Sequence, residues 1–259
     1  MSLPGNVRRE ARLMRRDIKA QYKSEKMRLE KKYKNELCQF YELCGIPYPA
    51  DPPKRSVAEE IGNAVSHGLG ALLSVAALVF MLDRAHTLTQ TVGAVVYFFG
   101  LFLMFSSSCL YHAFPHGTVA KRVFRRLDYA SVYVLIGATF CPILLNFADG
   151  RTNVGMLLTL QWVIIVLGVS TALVFGPSNF VYPHISMYLV LGWSALLILP
   201  SIGRADSGLF YTVLGGGLLY TLGVIPCAID KHASHFIWHL FVLAGAVIQC
   251  GGVLSFIYL

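Results

Sequence analysis

Seven stretches of this chain are too long and too apolar to suit an ordinary soluble domain. They fall at about residues 65–82, 90–113, 129–147, 153–175, 183–200, 208–228 and 235–258. Each runs for about 18–24 residues. A helix rising about 1.5 Å per residue needs roughly 20 to cross a hydrocarbon core ~30 Å thick. The breaks between them carry turn chemistry: FPHGTVAKRVFRR, ADGRTN, GPSNFVYP, PSIGRADSG and IDKHAS. The expected fold class is therefore an all-α integral membrane protein, a seven-transmembrane helix bundle.

Charge sets the expected orientation. Of the 22 Lys and Arg, 14 lie in residues 1–55, against 7 Asp and Glu there; from Ile61 onward only five acids remain. With the N-terminus inside, the inner side also holds Lys121, Arg122, Arg125, Arg126 and Lys231, while Arg84, Arg151 and Arg204 lie outside. The positive-inside rule favours a cytoplasmic N-terminus and an external C-terminus. Residues 1–55 contain no apolar core of the secretory-signal kind, so the first span is expected to act as its own insertion signal. The plasma (inner) membrane is the expected location.

Two regions follow: residues 1–55, a basic cytoplasmic arm and Pro-rich linker, and residues 56–259, the membrane domain. The arm is expected to be helical from about Val7 to Leu43, because Val7, Ala11, Met14, Ile18 and Tyr22 recur at helical spacing and Leu29, Tyr33 and Leu37 continue the stripe. It suits an amphipathic helix on anionic lipid headgroups or packed under the bundle, and equally a solvated helix or a short coiled coil meeting a cytoplasmic protein. Pro47, Pro49, Pro52 and Pro53 then end it. None of the six cysteines forms a CxxC pair and four sit in apolar runs, so they read as small buried hydrophobes.

The expected topology brings unusual polar groups together. Glu60, Asn63 and His67 lie at the inner end of the first span, Ser108 and His112 at the inner end of the second, Asp128 at the start of the third, and His235 and His239 at the start of the seventh. His235 and His239 are four residues apart and share a helix face, as do Ser108 and His112. Two imidazoles on one helix and a third from His112 make three nitrogen ligands. Three protein ligands with one open position is the catalytic zinc pattern. Asp128 is the expected proton-handling group, and Ser108 the expected donor to a substrate carbonyl or water. Blander readings stand beside these. Asp128 could be an interfacial anchor paired with Arg125 or Arg126. His67, His184 and His232 could each simply bond a neighbouring helix, and His86 and His116 read as loop residues. The glycines at 215–217 and 251–252 read as close helix contacts.

At these residues the chain resembles the hemolysin III branch of the progestin and adipoQ receptor family. SVAEEIGNAVSHGLGALLS is similar to its first motif, E-x-x-N-x-x-x-H, at Glu60, Asn63 and His67. SSSCLYHAFPH followed by RRLDYASVYVLIGATF is similar to the second, at Ser108, His112 and Asp128, and HFIWHLFVLAG to the third, H-x-x-x-H, at His235 and His239. The resemblance spans about residues 56–259 and departs from the family at GATFCPI and Gln249. It implies a seven-helix bundle with zinc on His112, His235 and His239, and kinship with alkaline ceramidases and with receptors for adiponectin or progestins. The expected function is thus a zinc-containing membrane hydrolase of a lipid amide or ester. A receptor or lipid-state sensor with a structural zinc is the alternative. A cytolysin is disfavoured, since so apolar a chain cannot diffuse through water. Membrane lipid is the expected substrate or ligand, and no nucleic-acid partner is expected.

Overall fold

The computed structural model describes residues 5–43, 52–147, 154–178, 180–229 and 231–259, and these are helical almost throughout, with no strand among them. The chain divides into two compact units, Met1–Tyr48 and Pro49–Leu259.

The first unit holds one helix, α1 (Gly5–Leu43). Its apolar stripe stands exposed at Met14, Ile18, Tyr22 and Tyr33. Surface pairs such as Arg28–Glu25 and Lys32–Glu36, about as far apart as ion pairs reach, add little to a solvated helix. The expected stop at Pro47 and Pro49 lies outside the described residues; α1 ends at Leu43.

The second unit holds α2 (Val57–Arg84), α3 (Leu88–Ala113), α4 (Val119–Phe147), α5 (Val154–Val174), α6 (Val181–Trp193), α7 (Leu199–Ala205), α8 (Ser207–Ile229) and α9 (Ser234–Val253). Among the described residues, six of these helices are long and apolar enough to cross a membrane, and α6 with α7 passes the same test as a pair, bent by 46° at its break, which gives up to seven spans. The fifth span was expected as one continuous stretch, 183–200; instead it breaks into a 3₁₀ turn at Ser194–Leu197. Pro200 explains the break, because it sits in the first turn of α7 and has no N–H to continue the ladder. The polar groups released there are partnered: Gln161 Nε2 donates to Ser194 Oγ (2.9 Å), which donates to the Leu191 carbonyl (2.6 Å).

Several helices also begin earlier than the apolar runs, α2 at Val57 and α4 at Val119 most of all. Ser56 caps α2, its Oγ accepting from the Glu59 amide (3.2 Å), and Glu59 and Glu60 in the first turn complement the positive helix end. Thr87 and Gln90 form a reciprocal capping box on α3. Asp206 Oδ1 accepts from the Leu209 amide (2.9 Å) at the start of α8. Helix α4 starts at Val119, so Lys121, Arg122, Arg125 and Arg126, taken from the sequence as a loop, are its first turns.

Helix α3 lies between α2 and α4, α9 packs on both α2 and α8, and α4 carries α5 and α6 on its other side. Close approach of α3 and α4 needs Gly100: a Cβ there would stand 2.5 Å from Ala138 Cβ and 3.2 Å from Leu135 Cα. The core between them includes Tyr97, Leu101, Met104, Leu135 and Phe140. Of the two glycine clusters expected to give close contacts, Gly216 meets Gln249 and Gly252 meets Thr212; Gly215, Gly217 and Gly251 have no neighbour within 4 Å of an added Cβ. The five described cysteines form no disulfide with one another and are half-buried.

Candidate metal centre

Helices α2, α3, α4 and α9 bring their polar residues to one end of the bundle. On α9 the four-residue spacing sets His235 and His239 one turn apart, with their Nε2 atoms separated by 3.1 Å. Both rings face His112 of α3, whose centroid lies 5.3 Å from that of His235 and 4.7 Å from that of His239. One ligand nitrogen from each of the three falls within 4.8 Å of the others. His112 and His239 are buried and His235 half-buried.

Glu60 of α2 orients this cluster. His112 Nδ1 lies 2.6 Å from Glu60 Oε2 and 3.3 Å from Asn63 Nδ2. The shorter contact to the carboxylate assigns the proton to Nδ1, which donates to Glu60 and leaves the Nε2 lone pair free. That Nε2 is buried without a hydrogen-bond partner. A buried nitrogen lone pair with nothing to accept from, opposite two further imidazoles, fits a metal cation. Zinc bonds of about 2.0–2.1 Å to nitrogen put tetrahedral ligands roughly 3.3 Å apart, close to the His235–His239 separation. The donor set is all imidazole, which suits zinc among other transition metals.

The other Glu60 oxygen accepts from Lys121 Nζ (2.9 Å). Lys121 is 1% exposed and also donates to the Tyr111 and Phe114 carbonyls, each at 3.1 Å. The chain of contacts thus runs from the metal position through His112 and Glu60 to a buried ammonium on α4. Sequence reasoning counted Lys121 only as topology. The signal was there: Lys121, Arg125 and Asp128 recur at four and three residues, on one face of α4.

Asp128 stands at the same end but outside the group of three ligand atoms. It forms no close ion pair with either expected arginine, although Arg125 is near enough to act on its charge. Arg125 Nη1 donates to Ser178 Oγ (2.6 Å) and Arg126 Nη1 to the Leu173 carbonyl (2.8 Å). The Ser108 hydroxyl adjoins Asp128, is buried, and forms no well-directed hydrogen bond. Asn63 is buried beside His112, and its Oδ1 has no partner. His67 packs its ring 4.0 Å from that of His239, with Nε2 facing the His239 carbonyl at 3.4 Å. That is a buttress to a neighbouring helix. The other histidines lie apart from this cluster. His184 pairs with the Tyr133 hydroxyl (2.7 Å), His116 Nε2 faces the Pro52 carbonyl (2.9 Å), and His86 is exposed. His232, expected to bond another helix, is exposed in the turn before α9.

A cavity of about 170 Å³ opens from the centre into the bundle. Ser108, Asp128, His235 and His239 line its polar end, and Met104, Leu135, Ile136 and Val242 line the stretch beyond. The arrangement places three nitrogen ligands, a carboxylate and a neighbouring hydroxyl at the mouth of an apolar chamber.

Comparison with known proteins agrees with this architecture. The family described as "Haemolysin-III related" matches residues 55–250. The chain is 33% identical over 206 residues to "Hemolysin-3" of Bacillus cereus, covering 78% of this chain and 93% of that protein. It is 33% identical over 196 residues to "Hemolysin-3 homolog" of Bacillus subtilis (strain 168), covering 74% and 91%. It is also 27% identical over 232 residues to "Adiponectin receptor protein" of Drosophila melanogaster, covering 76% of this chain and 50% of the receptor. With six to seven candidate spans, a three-histidine cluster and these relatives, the chain belongs to the haemolysin III-related family, within the wider progestin and adipoQ receptor group.

Proposed function

We propose that this protein is a multi-pass membrane hydrolase acting on a lipid amide or ester, with zinc held by His112, His235 and His239. The observation that carries the reading is the juxtaposition of the three imidazoles with Asp128 and Ser108 at the mouth of an apolar cavity. When bound, zinc supplies Lewis acidity and lowers the pKa of a water from ~15.7 toward ~7.

The chain's own groups divide the remaining work. The apolar walls take the acyl chain and exclude bulk water from the scissile bond. Ser108 Oγ, beside Asp128, donates to the substrate carbonyl oxygen as charge builds there. Asp128 removes the proton from the attacking water and returns it to the leaving nitrogen or oxygen. Glu60 holds the His112 ring and its tautomer, and Lys121 holds Glu60. By the distribution of Lys and Arg, this end of the bundle faces the cytoplasm of a plasma (inner) membrane.

Purified full-length protein should release free fatty acid from a panel of ceramides, acyl amides and phospholipids. Release should stop on chelation and return with zinc. Zinc-loaded protein that turns over none of them overturns the reading.

A second reading, a receptor or lipid-state sensor with a structural metal, is favoured by the likeness to an adiponectin receptor, half of which the chain covers. It calls for lipid-dependent changes in the accessibility of the basic arm without chemistry.

A further inference from the structure

A second polar layer lies deeper in the bundle, and the catalytic reading does not use it. Tyr97 on α3 stands eleven residues from Ser108, Thr139 on α4 eleven from Asp128, and Gln249 on α9 ten from His239. At about 1.5 Å per residue these separations are each roughly 15–16 Å, so three helices deliver a polar group to one level. Tyr220 of α8 joins them, its ring lying against Gly245 of α9, four residues before Gln249. Thr139, Tyr220 and Gln249 line the same cavity as Asp128 and His239. One chamber therefore has two polar ends with apolar wall between.

The hydrogen-bonding capacity of the deeper layer is not used up. The Tyr97 hydroxyl is fully buried and turned toward Thr139, without a well-directed hydrogen bond. Tyr220 presents its phenol to the cavity wall. Thr139 donates to the Leu135 carbonyl (2.8 Å) and keeps an acceptor lone pair. Gln249 Nε2 donates once, to the Val213 carbonyl at 3.3 Å, and its second N–H is spare. Gly216, opposite, leaves room for the glutamine where any larger residue would collide. Unsatisfied polar groups in the hydrocarbon region are costly and mark a ligand or a pathway.

We infer that the deeper layer binds an oxygen atom carried on the alkyl chain of the lipid whose polar head sits at the metal centre. Carbon–carbon bonds of ~1.5 Å in a zigzag advance an extended chain about 1.3 Å per methylene, so 15–16 Å corresponds to roughly twelve carbons. The ligand is a long-chain acyl compound with a hydroxyl or keto group near carbon twelve. Tyr220 and Gln249 donate to that oxygen, and Thr139 accepts from a hydroxyl.

The inference rests on the proposed lipid site but not on turnover. The test uses full-length, zinc-loaded protein in lipid nanodiscs with a fluorescent polyene fatty acid bound. Octadecanoic acid and its 12-hydroxy and 3-hydroxy derivatives compete for it. The 12-hydroxy acid should displace the probe at about three- to ten-fold lower concentration than octadecanoic acid, the ratio expected for one net hydrogen bond, and the 3-hydroxy acid should show no advantage. Tyr220→Phe and Gln249→Leu should each bring the ratio near one while leaving octadecanoic acid binding within about two-fold; the isosteric Tyr220→Phe serves if the glutamine variant does not fold. Equal displacement by all three acids, a preference that survives both variants, or no displacement at all overturns the inference. A 12-hydroxy preference without fatty-acid release removes only the hydrolase, whereas release without the preference removes only this layer.

Discussion

His112 Nδ1 lies 2.6 Å from Glu60 Oε2, on a different helix and 52 residues away in sequence. This contact decides which imidazole nitrogen faces His235 and His239. Glu60→Gln should weaken zinc binding by roughly 10- to 100-fold, the usual cost of losing such an outer-shell partner, and should also lower stability because Lys121 loses its carboxylate. Competition against a fluorescent zinc chelator measures it. Unchanged affinity would remove the role assigned to Glu60.

Glu60 and Lys121 form a buried pair in which each needs the other. Lys121→Met strands the carboxylate and should cost about 3–5 kcal/mol, read as a lower apparent melting temperature in detergent. The double change Glu60→Gln with Lys121→Met should recover much of that loss. Equal melting of the two proteins would show that the pair has no such coupling.

Asp128 stands beside the three-histidine group without belonging to it. Asp128→Asn should keep the metal and fold while lowering fatty-acid release by about 10²–10⁴, the range for a lost general base. His239→Ala should instead lose the metal itself. Elemental analysis alongside the release assay separates the two, and metal loss in Asp128→Asn would make the aspartate a ligand.

The metal should also hold α3 to α9. A ligand present at 1,000 times its dissociation constant stabilises the native state by about 4 kcal/mol. Chelation should therefore lower the apparent melting temperature, and zinc should restore it. His235→Ala should already melt at the chelated value and not respond to zinc.

Ala233 precedes α9 with φ 62°, in the left-handed region. An alanine there is strained by about 1–2 kcal/mol and a glycine is not. Ala233→Gly should raise thermal stability by up to about 1 kcal/mol, since glycine also gains freedom in the unfolded chain. Scanning calorimetry or a dye-based melt reads the shift, and a lower melting temperature would contradict the strain.

What the sequence alone determined is what depends on neighbours along the chain. Span number follows from apolar length, because a hydrocarbon core demands about 20 apolar residues per crossing. The pairing of His235 with His239 follows from helical pitch, and charge placement led Glu60, Ser108, His112, Asp128 and both α9 histidines to be expected at one level. Tertiary structure alone decided the rest. Apolar length is blind to the break at Ser194–Leu197, where Gln161 of α5 meets the Ser194 hydroxyl that in turn caps the Leu191 carbonyl. It also misread Lys121, whose burial depends on Glu60 arriving from α2. The deeper layer of Tyr97, Thr139, Tyr220 and Gln249 is likewise a product of packing. Each residue is unremarkable on its own helix, and only contacts such as Gly100 against Ala138 set the depth and rotation at which the four converge.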